Sequence, residues 1–109
     1  MMRATELIAA NSPLSREDLD VWVREELIVA TRESAELVFT DRECARVRLI
    51  CTLRYQLDVE HETLPVVMSL LDQLYETRAR LRALGAAVAA EDRATREAIL
   101  ARLAPAESD

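Results

Sequence analysis

A chain of 109 residues, half of them hydrophobic, is one domain with room for an appended helix. One glycine and three prolines exclude a loop-rich or many-stranded fold, and the abundance of Ala, Leu, Arg and Glu favours helix. The net charge is −6, every basic residue is arginine, and no apolar stretch approaches membrane-spanning length. The N-terminus lacks a basic region followed by an apolar run, so the expectation is a cytoplasmic protein without a signal peptide or a membrane contact.

In chain order, Thr5 to Ala10 (TELIAA) reads as a short first helix and Asn11-Ser12-Pro13 as a turn. Ser15 to Ile28 (SREDLDVWVREELI) is the segment that matters most. Ser15 is a good N-cap, and Asp18 three residues on makes a weaker capping box. At 100° per residue, Leu19, Trp22, Val23 and Leu27 fall on a core-facing side, and Glu17, Asp20, Val21 and Arg24 on the other. Glu26 projects onto the apolar side, so the regular helix is expected to end near Glu25. Glu17 and Asp18 also suit the positive end of the helix dipole, which explains them without any partner. Asp20 lies beyond the first turn, and Val21 is apolar among acids, so a contact surface is the better explanation for those two.

Leu27 to Thr31 and Glu36 to Phe39 are β-rich and separated by a polar run. They are expected to form a hairpin, the wing of a winged helix-turn-helix. Thr40 and Glu43 cap a third helix reaching about Leu57, with Cys44, Val47, Ile50, Cys51 and Tyr55 at helical spacing. Asp58 to Glu62 is a polar connection, after which Leu64 to Val88 predicts a helix roughly 35–40 Å long, with Thr63 or Glu62 as its cap and Pro65 in its first turn. Leu64, Val67, Leu71, Leu74, Leu81 and Val88 follow heptad positions on it, interrupted by Arg78 and Gly85. Such a stripe suits homodimerisation; the alternative is that a last helix, Ala94 to Leu103, folds back over it. The tail from Ala104 to Asp109 is expected to fray. The fold class is therefore mainly α: a winged helix-turn-helix over 1–60, then a helical dimerisation region over 61–109 with a long and a short helix.

Charge sharpens the functional reading. Ser15 to Glu43 holds nine acids and four arginines and so carries most of the negative charge. Phosphate neutralisation supplies most non-specific nucleic-acid affinity, so this surface suits a basic protein and DNA binding is not expected. The expected partner-binding face is Glu17, Asp18, Asp20, Val21, Arg24 and Glu25. Cys44 and Cys51, seven residues apart on one helix, lie about 10 Å apart along its axis and cannot bridge. His61 stands between Glu60 and Glu62 and reads as a surface or capping histidine, because three or four convergent metal ligands are not in sight. No phosphate loop, nucleophile elbow or paired-carboxylate signature occurs, so neither an enzyme, a metal nor a cofactor is expected.

The order of short helix, SREDLDVWVREELI, two-stranded wing and ESAELVFTDRECARVRLI resembles the N-terminal DNA-binding domain of the MerR regulators, over about Thr5 to Leu57. Ser15, Leu19, Trp22, Arg24, Glu25 and Leu27 keep that framework. Glu17 and Asp20 stand where the family has arginines, Val21 where it has a phosphate-contacting tyrosine, Glu26 where it has a helix-ending glycine, and Leu37 where it has a wing arginine. A closer resemblance, over nearly the whole chain, is to the chaperone-modulator family CbpM, itself MerR-like. It rests on TELIAAN, ELVFTDRECARVRLICTLR and above all LPVVMSLLDQLYETRARLRAL. That resemblance implies binding to the J-domain of a CbpA-type, DnaJ-like co-chaperone, inhibiting its work with DnaK and its DNA association. The alternative on the same scaffold is a MerR-like transcriptional regulator, with Arg16, Arg24, Arg32, Arg46, Arg48 and Arg54 supplying positive potential.

Overall fold

The structure, a computed structural model, describes residues 1–104. It is mainly helical with one small antiparallel sheet, in the order β1 (Met2–Arg3), α1 (Ala4–Ala10), α2 (Arg16–Arg24), β2 (Thr31–Glu33), β3 (Glu36–Phe39), α3 (Asp41–Cys51), α4 (Leu64–Ala89) and α5 (Arg93–Leu103). The chain divides into two compact units, Met1–Ser69 and Leu70–Asp109. The boundary falls later than the expected 60/61 because the first turns of α4 belong to the first unit: Leu64 and Met68, one turn apart, are 0% and 2% exposed.

The core of the first unit collects Leu7 from α1, Leu19 and Trp22 from α2, Val38 and Phe39 from β3, Val47 and Ile50 from α3, and Leu64 and Met68 from α4. The turn after α1 closes through Asn11, whose Nδ2 donates to the Leu7 carbonyl at 2.9 Å and whose own carbonyl accepts from Leu14 N–H at 2.8 Å. Leu27 and Ile28, expected to open the hairpin, are instead buried core residues, and the first hairpin strand starts at Thr31. The hairpin pairs Thr31 with Val38, Arg32 with Leu37 and Glu33 with Glu36 across a two-residue loop. Ser34, at its first position, has φ 58°, as the first residue of a type II′ loop does.

The sheet has three strands rather than the two expected, because Met2 and Arg3 pair antiparallel with Phe39 and Val38. Thr5 Oγ1 donates to Glu36 Oε2 at 3.1 Å and fastens α1 to the same strand. The third helix is regular only to Cys51; Thr52–Gln56 form a π-helical turn, closed by Leu57 N–H donating to the Thr52 carbonyl at 3.0 Å. The expectation of one helix to Leu57 is corrected to that extent. Cys51 and Tyr55, expected in the core at α-helical spacing, are half-buried.

α4 is 26 residues, about 39 Å at 1.5 Å per residue, and passes through Gly85 without a break. A Cβ at Gly85 would meet nothing within 4 Å, so this glycine answers to no packing requirement. α5 is capped by Asp92, whose side chain accepts from Thr95 N–H at 2.8 Å. Two hydrogen bonds from Thr95 hold the exposed Asp92 carboxyl below its ordinary range. Of the tail expected to fray, all but Ala104 lies outside the described residues. Among the described residues, no helix is long and apolar enough to cross a membrane.

Candidate protein-interaction surface

α2 owes its position to its ends as much as to its apolar face. Ser15 accepts from Asp18 N–H at 3.1 Å, as the sequence predicts. At the other end Glu26 has φ 63°, the left-handed conformation that glycine takes most easily. Leu27 N–H donates to the Trp22 carbonyl at 2.9 Å and Glu26 N–H to the Val23 carbonyl at 3.0 Å, which is the Schellman pair. This end turns the chain so that Leu27 enters the core beside Trp22. Arg46 on α3 then grips the Leu27 carbonyl through Nε at 3.0 Å and Nη2 at 2.7 Å. Glu43 accepts from Val29 N–H at 2.8 Å and lies 4.0 Å from Arg46.

With Leu19 and Trp22 fully buried, α2 presents Glu17, Asp20, Arg24 and Glu25 as exposed side chains. The carboxylates of Glu17, Asp20 and Glu25 make no hydrogen bond or ion pair among the described residues. Val21, expected on the outward side, is half-buried and sits at the margin of this face.

Asp18 is the exception within the expected partner face. It is half-buried and engaged from two other elements: Tyr55 Oη donates to its Oδ2, and His61 Nε2 lies 3.6 Å from its Oδ1. Tyr55 in turn packs its ring against Trp22, with centroids 6.2 Å apart at 41°. Burial first, then the hydrogen bond to Asp18, raises the Tyr55 phenol above its ordinary range. Asp18 is thus a clasp joining α2 to the π-helical turn and to the segment before α4. Sequence patterning misses this cluster because Tyr55 is 37 positions from Asp18, and no local spacing links them.

A groove of about 610 Å³ runs between α2, β1 and the hairpin. Arg3, Arg16 and Arg32 line it, but so do Asp20, Glu33 and Glu36. Acids and arginines are interleaved, so the groove offers no uninterrupted positive stripe for a phosphate backbone. Arg46, one of the arginines available to the DNA-binding alternative, is committed to the Leu27 carbonyl.

Neither cysteine is poised for chemistry. Burial raises the thiol of Cys44, and burial together with the nearby Asp18 pushes Cys51 up to about 11. Among the described residues, no group of three or more His, Cys, Asp and Glu side chains is placed to hold a metal ion.

The six expected dimerisation residues separate into different environments. Leu64 is removed from the set, since it is fully buried in the first unit. Val67, Leu71 and Val88 are half-buried, while Leu74 and Leu81 are exposed. Compared with known proteins, the chain matches no family model, no curated sequence and no solved structure.

Proposed function

We propose that this chain is a non-enzymatic chaperone modulator of the CbpM type, built on a MerR-like winged helix-turn-helix. It binds the J-domain of a DnaJ-like co-chaperone and inhibits that protein's work with DnaK and its DNA association. The observation that carries the reading is the exposed face of α2, where Glu17, Asp20 and Glu25 have no partner among the described residues. In a DNA-binding protein of this architecture the same helix enters the major groove and neutralises phosphates. Acids there repel DNA and attract a basic helix, the kind of surface a J-domain presents to its Hsp70. The identity of the partner rests on the sequence resemblance. Within the expected face, Glu17, Asp20, Arg24 and Glu25 remain as contact residues with Val21 at their margin, and Asp18 supports them from behind.

The second reading, a MerR-like transcriptional regulator, draws on Arg3, Arg16 and Arg32 in the groove beside α2. Titration of the full chain with a purified J-domain of a DnaJ-like co-chaperone separates the two. The expected result is salt-sensitive binding that weakens roughly tenfold or more in the Glu17→Arg, Asp20→Arg double variant, with Trp22 fluorescence unchanged. Undiminished binding by that variant overturns the α2 interface. Absence of J-domain binding, with salt-sensitive and sequence-selective binding of duplex DNA, returns the chain to the regulators.

A further inference from the structure

The groove between α2, β1 and the hairpin holds two arginines that the fold leaves uncommitted. Arg16, the first residue of α2, and Arg32, in the middle of β2, both line it and both are exposed. Neither makes a hydrogen bond or an ion pair among the described residues, although the carboxylates of Asp20, Glu33 and Glu36 line the same groove. Arg3, the third arginine there, is held by Glu6 at 3.5 Å. α2 gains nothing from Arg16, because a cation in the first turn opposes the helix dipole. Arg32 lies across the ladder from Leu37, an apolar residue that offers its guanidinium no acceptor.

The acids decide what these arginines can take. A run of phosphates laid along the groove meets the three carboxylates as well as the arginines, and loses by repulsion what it gains. A single carboxylate side chain needs only a local site, where a guanidinium supplies two parallel N–H donors. Ala35 and Leu37 add apolar surface for the methylenes of such a side chain. The groove also continues the face described above. Asp20 lines it and is one of the free acids on the exposed side of α2, so a protein seated on Glu17, Asp20 and Glu25 has Arg16 and Arg32 at the edge of its footprint.

We infer that the groove is the second half of the partner interface. The acids of α2 take a basic helix, and Arg16 and Arg32 take an acidic side chain that the same partner carries beside it. This role depends on the proposed J-domain binding and adds to it a requirement for both signs of charge. A basic helix alone is attracted to any acidic surface; an acidic side chain in register with the arginines fixes which partner and which orientation are accepted.

Titration of the full chain with a purified J-domain of a DnaJ-like co-chaperone tests the groove through the sign of the effect. Arg16→Glu with Arg32→Glu makes a chain already at −6 more acidic still, so attraction of a basic helix alone would tighten binding. The expected result is the reverse, a loss of roughly tenfold or more. Arg16→Gln with Arg32→Gln, a milder change at the same positions, is expected to weaken binding about fivefold. Arg42→Glu with Arg48→Glu adds the same charge at exposed positions outside the groove and is expected to bind as tightly as the native chain or more so. Trp22 fluorescence is expected to stay native in all three. Binding by the Arg16 and Arg32 variants at native strength or better, or an equal loss in the Arg42 and Arg48 variant, overturns the inference and leaves the α2 interface standing. Duplex DNA binding that the Arg16 and Arg32 variants abolish assigns these arginines to phosphates and refutes it as well. A native chain that binds no J-domain overturns the proposed function and the groove's role with it.

Discussion

Replacing Asp18 by alanine tests whether that carboxylate holds the fold or the partner. The charge-assisted hydrogen bond from Tyr55 is worth about 1.5–3 kcal/mol net. The His61 approach at 3.6 Å, between side chains 39% and 27% exposed, adds at most about 1 kcal/mol. An acid in the first turn of α2 adds about 0.3–1 kcal/mol through the helix dipole. The three are partly redundant, so the expected loss for Asp18→Ala is about 2–4 kcal/mol, and about 1–2 kcal/mol for Asp18→Asn, which keeps an acceptor. Urea unfolding followed by Trp22 fluorescence is the assay, because Trp22 packs against Tyr55 and is the only tryptophan. At about 2 kcal/mol per molar urea, the alanine variant's midpoint should fall by about 1–2 M. Tyr55→Phe in the Asp18→Asn background should cost less than in the native chain, by a coupling of about 1 kcal/mol. A loss below about 0.5 kcal/mol for Asp18→Ala refutes the clasp and returns Asp18 to the partner face.

Other substitutions follow from single positions. Glu26→Gly removes the strain of a non-glycine residue at φ 63° and should stabilise by about 0.5–1 kcal/mol, after allowance for glycine's freer unfolded chain, raising Tm by about 2–8 °C in a thermal melt. Leu64→Ala should cost about 2–5 kcal/mol in urea unfolding, whereas Leu84→Ala, at an exposed position, should leave the Trp22 transition within about 0.5 kcal/mol. Raising the pH should destabilise the first unit from about 9 upward. Cys51, ordinarily near 9.0, titrates only at about 11 in the fold, and Tyr55 titrates above its ordinary 10.0, so the unfolded chain holds fewer protons across this window. Urea midpoints between pH 8 and 11 should therefore decline, and decline less in Cys51→Ala and Tyr55→Phe; a flat profile would contradict the burial of both groups.

The legible parts of this fold are those in which one residue's local chemistry decides. Ser15 and Thr40 cap the helices they were expected to cap, and Leu19, Trp22, Val47 and Ile50 are buried as their spacing requires. Gly85 was ambiguous locally, and α4 resolves it by continuing through. The illegible parts depend on distant residues. A two-residue strand such as Met2–Arg3 has no periodicity of its own and exists because β3 offers an unpaired edge. Leu27 and Ile28 have strand propensity, yet the left-handed turn at Glu26 sends them into the core, and burial outweighs propensity there. Asp18 carries the same charge as Glu17, and only Tyr55 and His61 distinguish its task.

The apolar positions of α4 show why periodicity alone leaves the register open. Val66, Val67, Leu70 and Leu71 are consecutive apolar pairs, so two heptad frames fit the start of the helix equally well. The frame through Leu64 looks natural because Leu64 is the first leucine of the element. The first unit claims Leu64 together with Met68, and residues already buried there cannot also face a partner. Once they are removed, the frame through Leu70 and Leu84 is the one whose leucines remain exposed. α4 thus divides its apolar positions along its length, Leu64 and Met68 closing the first unit and Leu70, Leu74, Leu81 and Leu84 standing exposed.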